Sequence, residues 1–150
     1  MRKTLVSARQ RANALEALNV MWPSVPVDNV APALRFWRDD HSCYGPNGSP
    51  HRGADCGTVA CFGGWCALYP KFRDQGVTDS CSGAPMVVEG GRVVGAAAVA
   101  HFLFGDASLF EPINASGQHS PHTTRAGSHA IVTKRLKDLI ARTKVAKGLP

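Results

Sequence analysis

Met86-Val87-Val88-Glu89-Gly90-Gly91-Arg92-Val93-Val94 sets the fold class of this chain. Two β-branched runs flank a Gly-Gly pair. A two-residue hairpin turn needs a positive φ at its central positions, which glycine adopts at no steric cost. The spacing predicts a small β-hairpin over about 86–94. A lone hairpin is marginal in water, so it must pack on helices. The next stretch, Gly95 to Gly105 (GAAAVAHFLFG), reads as a helix with Val99, Phe102 and Leu103 inward and Gly105 as its C-terminal stop.

Upstream, CGTVACFGGWCALYP (56–70) reads as a buried helix from about Thr58 to Tyr69, stopped by Pro70. Gly63 and Gly64 each cost on the order of 1 kcal/mol in a helix interior, a cost usually accepted where another backbone must come close. Leu5, Ala8, Ala12, Leu15 and Leu18 recur at helical spacing and predict a helix over 4–20, with Thr4 as its cap and Pro23 and Pro26 beyond its end. In 27–40, Val27, Val30, Leu34 and Trp37 fit one helical face, although ALRFW also fits an extended stretch. The polar segments 41–55 and 111–127 read as loops. Ser128 looks like the N-cap of a last helix over about 128–147, with Val132, Leu136, Leu139, Ile140 and Thr143 in one stripe. The expectation is an α+β fold, mostly helical, as a single domain over 1–150.

Length agrees with one domain, because 150 residues can bury a core without staples. No apolar run approaches the ~18 residues of a membrane span. The basic start MRKTLVSARQRANALEAL is followed by no apolar signal core, so a secreted form is not expected. The net charge of +6 is unevenly placed. Ten Lys/Arg and ten Asp/Glu cancel over residues 1–122, while 123–150 carry seven cations against Asp138 alone. The last helix is therefore basic. Lys134, Arg135, Lys137, Arg142 and Lys144 form the candidate partner-binding surface, facing an acidic protein or, in a competing reading, a nucleic acid.

Cys56-Gly57-Thr58-Val59-Ala60-Cys61-Phe62-Gly63-Gly64-Trp65 resembles a motif of small, largely uncharacterised phage, prophage and actinobacterial proteins, of the form C-G-T-x-x-C-x-x-G-[WH]-A. In that family an amphipathic N-terminal helix precedes the motif, and a segment similar to AVAHFLFGDASLF (98–110) and a C-terminal helix follow it. The chain departs from the pattern at Cys66, where a small residue is usual, and in the additional His and Cys of 41–55. The resemblance implies phage or prophage origin and a place in the host cytoplasm or the virion. It implies no reaction. Gly57, Thr58, Cys61, Gly63, Gly64 and Trp65 are its structural-motif residues.

The five cysteines are an odd count, which argues against a complete disulfide framework. Three readings of them stand. The first is packing, since Cys behaves as a small buried hydrophobe. The second is a tetrahedral metal site: His41, Cys43, His51, Cys56 and Cys61 supply enough soft donors for zinc, at a spacing that matches no established finger. The third is a thiol nucleophile. Cys56 would sit before a helix N-terminus, whose dipole lowers a thiol pKa, with His129 or His101 as base. That arrangement is similar to papain-like and NlpC/P60-type cysteine hydrolases, but an orienting third residue is not evident. His101 lies in an apolar helix and reads as a core histidine. His119 and His122 read as loop histidines, and Trp22, Trp37 and Trp65 as packing.

No Walker loop, dinucleotide fingerprint, G-x-S-x-G, H-E-x-x-H or paired-carboxylate signature occurs. That absence points to a protein that works by binding, and the resemblance implies a small phage- or prophage-type protein, a virion component or an accessory protein engaging a host factor. No cofactor is favoured. The competing functions are the cysteine hydrolase and the nucleic-acid binder.

Overall fold

The N-terminal segment enters the fold as a strand and turns helical only at Ala8. The computed structural model describes residues 3–31, 60–80, 83–111 and 124–148. Strand β1 (Thr4–Val6) pairs in parallel with β5 (Thr143–Val145), in the register Thr4↔Thr143, Leu5↔Lys144, Val6↔Val145. Helix α1 (Ala8–Glu16) starts in a capping box: the Ser7 hydroxyl accepts from the Gln10 N–H at 3.0 Å, and the Gln10 side-chain amide oxygen, Oε1, accepts from the Ser7 N–H at 2.9 Å. Ser7, not Thr4, is thus the cap. A π-helical turn over Ala17–Met21 and a 3-10 turn over Trp22–Ser24 follow, and the helical path ends among the prolines as expected.

The buried face of α1 is not the leucine stripe. Leu5 is 56% exposed and Leu15 39% exposed, whereas Asn13, Ala14, Ala17 and Met21 point inward. Small residues let α1 approach α4 (Ala96–Phe104), and its polar side chains complete that helix. The Gln10 amide donates to the His101 carbonyl at 2.9 Å, Arg9 to Phe102 at 2.8 Å and Asn13 to Leu103 at 2.9 Å. Those carbonyls belong to the last turn of α4, where intrahelical donors run out, and the His101 carbonyl also accepts from the Gly105 N–H at 2.8 Å. Arg9 also lies over the Phe102 ring at 4.2 Å.

In the described part of 27–40, residues 27–31, the chain makes one 3-10 turn, Val27–Asn29, followed by an extended Val30 that bridges Ala60 in parallel. Residues 32–59, with Leu34 and Trp37, lie outside the described residues. The bridge moves the start of the next helix. Ala60 donates to the Asn29 carbonyl and accepts from the Ala31 N–H, so α2 spans Phe62–Leu68 instead of 58–69. Pro70 ends it and opens the short α3 (Pro70–Arg73).

Strands β2 (Thr78–Asp79), β3 (Pro85–Glu89) and β4 (Arg92–Val94) form an antiparallel sheet in that order. Gly90 and Gly91 have φ of 57° and 78°, so the hairpin turns as its sequence requires. Helix α5 (Arg125–Arg142) is capped by Thr124, whose hydroxyl accepts from the Gly127 N–H at 3.0 Å. Ser128, the expected cap, is fully buried inside the first turns. The helix also ends earlier than 147, because Thr143 turns extended into β5. Val132, Leu136, Leu139 and Thr143 are buried and Ile140 partly so, which is the stripe the sequence predicts.

The core is aromatic at its centre. Phe62 meets Trp22 at 5.2 Å, Phe110 at 5.6 Å and Phe104 at 5.8 Å, and Phe104 meets Phe72 at 5.6 Å. One cluster joins residues from α1, α2, α4 and α5. The fold is α+β and mostly helical.

Gly105 closes α4 at φ 80°, and a Cβ there would sit 2.7 Å from Val6 Cγ1. Gly105→Ala combines a left-handed alanine with a clash against β1, and is expected to cost about 2–3 kcal/mol in urea unfolding. Val6→Ala in the same chain should recover the clash part only. Equal costs in both backgrounds would show that the contact with Val6 carries none of the effect.

Candidate binding site

Cys61 occupies the N-cap of α2, the kind of position the sequence gave to Cys56. It is 1% exposed, and burial pushes its thiol up to about 11 against the opposing pull of the Gly63 and Gly64 N–H groups. Burial also raises Cys66 well above the ordinary thiol value, with the neighbouring Cys61 adding to the rise. A reactive thiolate needs the reverse balance. Both thiols are free and packed in the core. Gly63 and Gly64 are buried with them, and Trp65 is half-buried and donates its indole N–H to the Asn29 carbonyl at 2.9 Å. The described part of the motif, with the 30–60 bridge, fastens α2 to the chain at 29–31. Cys56, Gly57 and Thr58 lie outside the described residues, as do Cys43, Cys81, His41 and His51. Of the five candidate zinc donors only Cys61 is described. Among the described residues no group of three or more His, Cys, Asp or Glu is placed to hold a metal ion.

The histidines separate. His101 is exposed on α4 rather than a core residue. His129 stacks on Trp22 with ring centroids 4.8 Å apart, and its Nε2 lies 3.0 Å from the Trp22 carbonyl. A carbonyl only accepts, so Nε2 is the donor there. In return the Trp22 indole N–H donates to the His129 carbonyl at 2.9 Å. This reciprocal pair joins the end of the π-turn to α5. His119 and His122 lie outside the described residues.

The five cations proposed as a partner surface do not act alike. Lys134 pairs with Asp138 one turn on, at 2.8 Å. Arg142 pairs with Asp106. Arg135 donates to the Glu111 carbonyl at 2.6 Å. Lys137 is exposed on α5, and Lys144 is exposed on β5 rather than on the helix. Neither makes an ion pair among the described residues. Lys147 extends the same basic end.

Between α5 and the turn at 106–111 lies a cleft of about 250 Å³, lined by Asp106, Ser108, Leu109, Glu111, Arg135, Asp138 and Arg142. The Asp106 carboxylate accepts from the Ser108 N–H at 2.9 Å and from its hydroxyl at 2.7 Å. Burial pushes this carboxyl up, but Ser108 and Arg142 outweigh it and hold it below its ordinary value. Burial lowers Arg135, with the Glu111 and Asp106 charges opposing. Counting charges in the sequence finds Arg135, Asp138 and Arg142 but not the cleft they share with the 106–111 turn. The Gly105-Asp106-Ala107-Ser108 turn was its local signal, through an Asp side chain folded back on its own backbone.

A second concavity of about 250 Å³ is apolar, with Met21, Val25, Pro26, Trp65, Leu68 and Tyr69 on its walls. The Tyr69 hydroxyl donates to Glu16 at 2.5 Å, and Glu16 pairs with Lys71 at 2.8 Å. Burial and the Glu16 carboxylate raise the phenol to about 12.

No helix among the described residues is long and apolar enough to cross a membrane. Comparison with protein-family models, curated proteins and solved structures finds no match.

Proposed function

We propose that the protein works by binding, and that the basic α5–β5 surface receives an acidic face of a protein partner. The observation that carries this reading is the set Lys137, Lys144 and Lys147, which are exposed and form no ion pair among the described residues. Opposite charge across an interface steers encounter and selects the partner. The buried, protonated Cys61 and Cys66 favour binding over thiol catalysis at those positions. The resemblance to phage and prophage small proteins supports a virion component or an accessory protein meeting a host factor in the host cytoplasm. Zinc on the 41–61 donors stays a proposal of its own, read by native mass after purification without chelator.

The test is titration with a Glu-rich peptide and with a short DNA duplex, over a range of salt. The triple variant Lys137→Glu, Lys144→Glu, Lys147→Glu should bind the peptide about tenfold or more weakly, a loss of about 1.4 kcal/mol. Its melting temperature should hardly move, since exposed substitutions usually change stability by less than about 0.5 kcal/mol. Unchanged peptide affinity would reject the surface. Tighter binding to the duplex, with a steep loss in salt, would reassign it to nucleic acid.

A further inference from the structure

The face that α1 turns to water is apolar. Leu15 is 39% exposed on it, and Ala8 and Ala12 are exposed beside it. At about 100° per residue these three fall within about 60° of one another around the helix, and they span about 10 Å along its axis. The two borders of this face differ in charge. On one side Arg11 lies about 40° from Leu15. Its guanidinium donates to the Ile140 carbonyl at 3.1 Å and to the Thr143 carbonyl at 3.4 Å, which fixes it one residue before Lys144. Arg11 makes no ion pair among the described residues. Lys144 is exposed, and its neighbour in the parallel β1–β5 register is Leu5, so an apolar and a cationic side chain stand together at that end as well. On the other side Glu16 lies about 40° from Ala12. Its carboxylate is already held by Lys71 and by the Tyr69 hydroxyl. One border is thus cationic and the other neutralised.

A second copy of the chain does not complement this pattern. Antiparallel packing of α1 on α1 about a two-fold axis sets the two cationic borders together. Parallel packing sets the cationic border against a carboxylate that Lys71 already holds. Neither supplies a free carboxylate to Arg11 or Lys144.

We propose that this face takes an amphipathic helix of the acidic partner, apolar where it meets Ala8, Ala12 and Leu15 and carrying Asp or Glu along the border that meets Arg11 and Lys144. The alanines let a helix come close, Leu15 supplies the ridge between its side chains, and the carboxylates complete the charge. The inference rests on the binding function proposed above and names the structural class of that partner. Lys137, Lys144 and Lys147 attract it, and the α1 face gives it an orientation.

The experiment titrates the full chain with three peptides of equal length, beside the Glu-rich peptide. The first has leucines at i, i+3, i+4 and i+7 and glutamates along one border. The second is its scramble, with the same composition and no apolar face. The third carries lysines in place of the glutamates. Calorimetry follows binding and circular dichroism follows peptide helicity. The wild type should bind the first about tenfold or more tightly than the scramble, induce helix in it and leave the lysine peptide alone. Leu15→Ser should lose most of that preference and keep the affinity for the Glu-rich peptide. Ala12→Gln, which puts a bulkier good helix former at an exposed position, should do the same.

Equal affinity for the patterned peptide and its scramble overturns the helix site, and the lysine surface stands if the Glu-rich peptide still binds. Folded Leu15→Ser and Ala12→Gln variants with the wild-type preference overturn it too. If Leu15→Ser does not fold, Ala12→Gln decides. A lysine peptide bound as tightly as the glutamate one overturns the acidic border. A concentration-dependent dimer that Ala12→Gln abolishes gives the face to a second copy and overturns the partner helix. A wild type that binds none of the peptides, the Glu-rich one included, rejects both the helix site and the surface.

Discussion

Trp22→Ala is expected to cost about 3–5 kcal/mol, a large share of what an ordinary domain possesses. Three separate interactions end on this side chain. Its ring is fully buried and meets Phe62 in a T-shaped contact, and truncation leaves a cavity in the aromatic cluster. The ring also stacks on His129, and the indole N–H donates to the His129 carbonyl. Trp22 therefore belongs to the core and also forms the joint between the α1 π-turn and α5. Trp22→Phe separates the two roles. It keeps most of the ring volume and loses the N–H, so it should cost about 1–2 kcal/mol. Urea unfolding measures both. An Ala variant within about 1 kcal/mol of the wild type would mean that α5 is held mainly by its own stripe, Val132, Leu136 and Leu139.

Features legible in the sequence were those whose cause is local. Gly90-Gly91 requires positive φ whatever surrounds it, and the hairpin formed there. Gly105 could end α4 by itself. The α5 stripe keeps its helical spacing from Val132 to Thr143, over about three turns. The misreadings came from distant partners. The leucines of α1 made a good helical stripe, yet the inward face includes an asparagine, because the acceptors of Asn13 lie 62 and 90 residues away on Gln75 and Leu103. Apolar periodicity cannot reveal that a polar side chain will find a helix end to complete. The start of α2 was misplaced for the same reason, since the bridge between Val30 and Ala60 leaves no periodic mark in either segment. Thr124 and Ser128 are both good cap residues, and only the burial of Ser128 separates them.

The candidate site was half legible in the same sense. The sequence counts charges and so finds the basic end of the chain. It cannot count pairings. Arg135 and Arg142 take their partners from a turn 24 and 36 residues upstream, which divides one basic helix into an open lysine surface and a walled cleft. The cysteine spacing was equally open to packing, zinc and catalysis. Burial decides the state of Cys61 and Cys66, and burial is a property of the whole fold.

Alkylation of Cys61 should be slower than that of a free thiol by about a hundredfold at pH 8 from ionisation alone, and slower still through exclusion of the reagent. Only the thiolate reacts, and a thiol at about 11 in place of 9.0 supplies about a hundredth as much of it. The labelling rate should rise about tenfold per pH unit until that value is approached. The same displacement governs stability. The folded chain holds the Cys61 proton more tightly than the unfolded chain, so its contribution is complete below pH 9 and is lost as pH rises toward 11. The loss is on the order of 2–3 kcal/mol. Labelling with and without denaturant, located by peptide mass, reads the rate at each cysteine. Urea unfolding between pH 8 and 11 reads the stability, and Cys61→Ala should flatten that part of the slope. Rapid modification of Cys61 in the folded chain near neutral pH would contradict the buried assignment. Rapid modification at pH 6 confined to Cys56 would instead favour the cysteine-hydrolase reading over the binding function, because a thiol so easily ionised is not built for packing.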